Sequence, residues 1–250
     1  MRLAYKLVVW PLDSFRYFEL DFVVKRCSSL QPRRYLDLSS PRFLPASLSQ
    51  ILRCEEAVLV NPDADDLRKT QETIKSMGLT QEFRYDGRLV IDLDYETESF
   101  DLITSVSVIE HIPEDTAAIN ALWSLIKPGG RLMITVPCAA EKYQELTNID
   151  EYKLLHANPD GLVFWQRFYD LEALKSRIFL VTGEPVYQEI FGEIQAGHYD
   201  SNVLAKRTSH AYPVWAEPLM MAKRYRRYES IDEMPGMGVV AMEFVKRSTK

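Results

Sequence analysis

The chain has 250 residues, of which 46% are apolar and 26% charged, with three cysteines and a formal net charge of −6. These are globular proportions with enough chain for a large core, and they exclude a disordered chain, a collagen-like chain, a coiled-coil rod and a disulfide scaffold. The acidic balance argues against a nucleic-acid partner, and without an apolar run of 18 residues no membrane partner is expected either.

From 14 to 30, apolar residues recur at helical spacing, with Ser14 as N-cap and Gln31-Pro32 as the stop. A short buried strand follows at 35–38, a helix at 44–52 and a second strand at 57–60. A polar amphipathic helix spans 63–77 and stops at Gly78. Strands three and four are read at 89–91 and 100–106, followed by a helix at 116–126. Lys127-Pro128-Gly129-Gly130 is a structural turn into strand five at 131–136, which Pro137 closes. The segment 139–168 is polar and aromatic. Asp170 caps a helix to 177, a strand is read at 179–182, a helix at 215–228 and a final strand at 237–245.

Short apolar strands alternating with helices imply an α/β fold, a doubly wound and mostly parallel sheet with helices on both faces. Right-handed crossovers bring the C-terminal ends of the strands to one edge, which is where such sheets bind ligands. No linker divides the chain. The expected organisation is a single domain over 1–250. It comprises an N-terminal helical segment (1–33), a cofactor-binding core (34–137) and acceptor-side insertions at 138–169 and 185–235. The three scattered cysteines and the absence of a signal-peptide pattern fit a reducing, cytoplasmic setting.

Four segments carry a resemblance. Ser99-Phe100-Asp101-Leu102-Ile103-Thr104-Ser105 runs into Val106-Ser107-Val108-Ile109-Glu110-His111. Leu125-Ile126-Lys127-Pro128-Gly129-Gly130 leads into the next strand. Tyr35-Leu36-Asp37-Leu38-Ser39-Ser40 and Val58-Leu59-Val60-Asn61 precede them. In this order they resemble the class I (Rossmann-like) S-adenosylmethionine-dependent methyltransferases, in the pattern of the type 11 group, over about residues 34–137. The resemblance implies a seven-stranded sheet with an antiparallel last strand at its edge. It implies S-adenosylmethionine as cofactor, S-adenosylhomocysteine as product, no metal, and a small-molecule acceptor.

It also implies site residues. Asp37, Ser39 and Ser40 form the first cofactor loop, which here lacks the family's glycines; Pro41 removes a further backbone donor. Asn61 stands where the family usually has a ribose-binding acid, with Asp63 as the substitute if the strand runs further; Asp63 also suits a helix cap. Asp92 is read as the acid that ends strand three beside the adenine. Ser105 and Ser107 end strand four below the cofactor. His111 is the candidate catalytic proton acceptor, since imidazole titrates near neutrality, while Glu110 is read as a loop anchor.

The segment 143–169, with Tyr152, His156, Phe164, Trp165, Arg167 and Tyr169, is placed to cover an acceptor. His198, Tyr199 and His210 are weaker candidates, and the basic run 223–228 reads as a solvated helix face. The expected activity is methyl transfer to a small molecule, with a hydroxyl of a saccharide-like compound as acceptor. The missing glycines and ribose acid carry an alternative, a catalytically degenerate binding or scaffold protein. A nucleotide-dependent oxidoreductase is disfavoured by the absent G-x-G-x-x-G.

Overall fold

A computed structural model describes residues 14–79, 81–148, 156–199 and 217–248. Helix α1 (Ser14–Cys27) leads into β1 (Arg34–Leu38), α2 (Phe43–Leu52), β2 (Glu56–Val60), α3 (Ala64–Met77) and β3 (Glu82–Asp86). Next come β4 (Phe100–Val106), α4 (Asp115–Leu125) and β5 (Ile126–Cys138). A hairpin of β6 (Tyr143–Thr147) and β7 (Val163–Phe168) precedes α5 (Leu171–Leu174), a π-helical turn (Lys175–Phe179) and α6 (Leu180–Thr182). Strand β8 (Tyr187–Glu193), helix α7 (Glu217–Arg224), β9 (Tyr225–Tyr228) and β10 (Gly238–Val245) complete the described fold.

The main sheet has eight strands in the order β3-β2-β1-β4-β5-β10-β8-β9. The first five are parallel, and β10 runs antiparallel to both β5 and β8. Alternate residues face opposite sides, so each strand feeds two cores. Leu36, Val58, Ile103, Ile134 and Met242 pack with α4, α5 and the π-helical turn. Tyr35, Ala57, Leu102, Met133 and Ala241 pack with α1 and α2 on the other face.

Five expectations are corrected. The third strand is Glu82–Asp86, not 89–91, where Val90–Asp92 forms a 3₁₀ turn with Ile91 56% exposed. The strand read at 179–182 is helical. Within 215–228 the helix stops at Arg224 and an edge strand follows, because Tyr225 and Tyr228 bury their rings while Arg226 and Arg227 stay out. The sheet has eight strands rather than seven, and β10 lies inside it; β9 is the edge. Residues 127–130, read as a turn before strand five, lie within β5, which already pairs Ile126 with Phe100 and shifts register before Arg131. Gly129 has φ +83°, and a Cβ on Gly130 would lie 2.8 Å from Ile126 Cγ2.

Candidate active site

The loop after β1 is built by Asp37. Its buried carboxylate accepts from the Ser40 amide (3.0 Å), the Thr104 hydroxyl (2.6 Å) and the Tyr35 hydroxyl (3.2 Å). Burial pushes the group up to about 6 against these bonds, which favour the charged form. Asp37 therefore shapes the loop, and both of its oxygens are engaged inside the protein. Ser39 adopts φ +49°, the left-handed conformation natural to glycine, and its amide and hydroxyl both donate to Val60 O. The Ser40 hydroxyl accepts from the Val106 amide, which ties the loop to the end of β4.

At the end of β2, Asn61 Nδ2 donates to Asp66 and Asn61 Oδ1 accepts from the Asp63 amide. Asp63 caps α3 by accepting from the Asp65 and Asp66 amides, so these two residues organise the start of the helix. Asp92 does not end β3. It is exposed on the 3₁₀ turn, six residues beyond Asp86, the acid that does end the strand. Arg88 and the Tyr95 hydroxyl both bind Asp86, and the Arg88 guanidinium holds its carboxyl down to about 2.

The end of β4 brings several polar side chains together. Ser105 is buried, and its hydroxyl has no hydrogen-bond partner among the described residues. Ser107 takes φ +50° and donates its hydroxyl to Glu19 of α1 (2.5 Å). Thr135 of β5 also donates to Glu19 (2.6 Å), and Arg16 pairs with the other Glu19 oxygen at 3.0 Å. Sequence reading missed Glu19. It sits on a helix whose spacing signals packing, and only the fold brings it to two hydroxyls 88 and 116 residues away.

A cavity of about 70 Å³ opens here, lined by Phe15, Arg16 and Glu19 of α1 and by Ser107, Glu110 and His111 after β4. Residues of β5, β7 and β10, with Tyr199, close it. Glu110 lies inside, and burial, reinforced by the nearby Glu19 charge, pushes its carboxyl up to about 8. His111 Nδ1 lies 2.7 Å from Trp165 O, a carbonyl that only a protonated nitrogen can meet. His111 Nε2 lies 3.9 Å from Glu110 Oε1.

The β6–β7 hairpin is fastened over this edge. Asp115 is fully buried and receives Arg167 (2.7 Å), the Tyr169 hydroxyl (2.7 Å) and Arg177. Arg167 and Tyr169 are thus structural clamps, and Gln166 and Phe168 are the hairpin residues that line the cavity. His156 is exposed and stands apart from the cavity lining, while Tyr152 and His210 lie outside the described residues. The buried thiols Cys27 and Cys54 are pushed up to about 12 and about 11, chiefly by desolvation, which leaves them without nucleophilic character.

A family model described as a methyltransferase domain matches residues 23–178. The ubiquinone biosynthesis O-methyltransferase of Alkalilimnicola ehrlichii is 25% identical over 159 residues, covering 63% of this chain and 63% of that protein. Its counterpart from Xanthomonas oryzae pv. oryzae is 31% identical over 131 residues, covering 50% and 51%. The chain therefore spans between half and two thirds of the length of these relatives. Among solved structures, the Burkholderia thailandensis 1,6-didemethyltoxoflavin-N1-methyltransferase, with 1,6-didemethyltoxoflavin and S-adenosylhomocysteine bound, superposes with a TM-score of 0.54. It shares 14% identity over 94% of this chain and 79% of its own, which is a likeness of fold. With the family model covering more than half of the residues, the chain belongs to the class I, Rossmann-like S-adenosylmethionine-dependent methyltransferases.

Proposed function

We propose that this protein transfers a methyl group from S-adenosylmethionine to a hydroxyl of a small ring compound, saccharide-like or aromatic, held in the cavity after β4. The observation that carries the reading is the Glu110–His111 pair lining that cavity at the C-terminal edge of the sheet, in a chain of this family. Oxygen as the target is supported by the relatives, which are named O-methyltransferases.

The residues present suit the methionine end of the cofactor. The buried Ser105 hydroxyl and Glu110 Oε2 both lack partners among the described residues, and Ser39 takes the backbone conformation of a glycine loop. Ser39, Ser40, Ser105 and Ser107 would hold that end, with Asp37 fixing the loop from behind. Asn61 and Asp63 would serve the ribose side. When bound, the cofactor supplies a methyl group already activated by its sulfonium. The protein then has to orient the acceptor, exclude water and receive one proton, and proximity alone supplies a large part of the rate. His111 receives the hydroxyl proton at Nε2 while Trp165 O keeps the ring in place. Phe15, Phe168 and Tyr199 wall the acceptor ring. No metal enters this scheme.

Calorimetric titration with S-adenosylmethionine, S-adenosylhomocysteine and NAD(H) tests the reading. Micromolar binding of the two sulfur ligands, and none of NAD(H), is expected. Silence at millimolar sulfur ligand would overturn it in favour of a binding or scaffold protein, the alternative to which the engaged Asn61 side chain points.

A further inference from the structure

Two carboxylates line the cavity, Glu19 at 1% and Glu110 at 2% exposure. Glu19 is answered in full, by the Ser107 and Thr135 hydroxyls on one oxygen and Arg16 on the other. Glu110 is not. Its Oε2 is buried with no hydrogen-bond partner among the described residues, and its Oε1 lies 3.9 Å from His111 Nε2, beyond hydrogen-bond range. Among the described residues, the other charged and titratable groups that face this cavity are Glu19 and Arg16 from α1, His111 from the same turn and Tyr199 from beyond β8. Pro137, Gln166, Phe168, Met237, Gly238 and Val239 complete the lining, none of them charged.

With Oε2 unpartnered, this carboxylate faces burial and the Glu19 charge, which outweigh the opposing pull of its own amide, Arg16 and the Ser107 hydroxyl, so the site favours its neutral form. Titration near 8 agrees with that geometry and leaves Glu110 protonated at pH 7. A sulfonium alters the balance, because its positive charge is present in the methyl donor and gone in the product.

Resting on the methyltransferase reading, we propose that Glu110 is the proton counterweight of the reaction. It releases its proton to solvent when the sulfonium arrives, and it regains one from the acceptor hydroxyl when the methyl leaves. In that exchange the carbon–sulfur bond breaks with its electron pair left on sulfur, the oxygen–carbon bond forms, and the hydroxyl proton passes by way of His111 to Glu110. The cavity holds a sulfonium and a carboxylate before the step, and a neutral thioether and a carboxylic acid after it. Charge in the cavity is balanced at both ends.

Proton release on binding reads this directly. S-adenosylmethionine and S-adenosylhomocysteine are each titrated at about pH 7 in buffers of low and high ionisation enthalpy. The α-amino group of each ligand titrates whatever the variant, so the wild-type minus Glu110→Gln difference is the quantity of interest. The sulfonium ligand is expected to release up to about one proton more from wild type than from Glu110→Gln, since a group that titrates above pH 7 is mostly protonated there. The thioether ligand should show no such difference, and the excess should vanish near pH 9.5. Glu19→Gln, which removes the like charge, should bind both ligands with a smaller excess and serves if Glu110→Gln does not fold. Equal counts for the two ligands, or a count unchanged by Glu110→Gln, would overturn the proposal while leaving the methyltransferase reading intact. Failure of both ligands to bind would overturn that reading and the proposal with it.

Discussion

Ser39 carries, on an L-residue, the left-handed backbone that the loop after β1 requires. That conformation costs about 1–2 kcal/mol relative to glycine. The Ser39 hydroxyl bond to Val60 O returns about 1 kcal/mol of it. Ser39→Gly is therefore expected to stay within about 1 kcal/mol of wild type in urea unfolding. Ser39→Val, branched and without the hydroxyl, should lose about 2 kcal/mol or more; equal stabilities would show that the loop relaxes out of this conformation. The scarcity of glycine here was legible in the sequence, but the retained glycine geometry was not. Asp37 was legible as a residue of the ligand edge. That its carboxylate turns inward depends on Thr104, which the β1–β4 register sets directly beside it across 67 residues. Glu19 left no local signal at all, since its burial is explained only by the hydroxyls it meets.

Among the elements, the hairpin β6–β7 depends on one buried acid of α4. Asp115 faces two guanidiniums and a phenol, and Arg167 is almost as buried as Asp115 itself. Asp115→Asn leaves Arg167 charged and unpaired in the interior, and the expected loss is about 3 kcal/mol. Hydrogen exchange should then accelerate in 163–168 ahead of β1 and β4; uniform exchange across these strands would contradict the clamp. The strands that sequence reading found, β1, β2, β4, β5 and β10, are buried and apolar, so composition alone reveals them. Strand β3 was missed because it pairs only with β2 and has the half-exposed alternation Glu82-Phe83-Arg84-Tyr85-Asp86. The apolar run at 89–91 drew the assignment instead, although Leu89 and Ile91 face solvent. At 179–182, β-branched and aromatic residues suggested a strand where packing against α4 sustains a helix.

For the molecule as a whole, two buried acids at the ligand edge tie stability to pH. Asp37 titrates near 6 instead of 3.8, and Glu110 near 8 instead of 4.5. Between these limits the folded protein keeps protons that the unfolded chain has released. Stability therefore falls as pH rises, by at most about 1.4 kcal/mol per pH unit for each group. The urea midpoint is expected to be lower at pH 8.5 than at pH 6, and Glu110→Gln should flatten the upper part of the slope. A midpoint that rises over this range would contradict both assignments. The mostly parallel sheet and the helices on both faces were largely legible, because buried parallel strands and their crossovers leave strong patterns. The interior position of β10 was not legible. Its pairing with β8 requires backbone so close that a Cβ on Gly238 would lie 2.6 Å from Phe191 O, a contact between residues 47 positions apart.

The most direct test of the account is a crystal structure of the protein with S-adenosylhomocysteine. The amino-acid end of the ligand is expected at Ser39, Ser40 and Ser105, with its sulfur beside the cavity that Glu110 and His111 line. A ligand bound elsewhere, or this edge unchanged at saturating ligand, would contradict it.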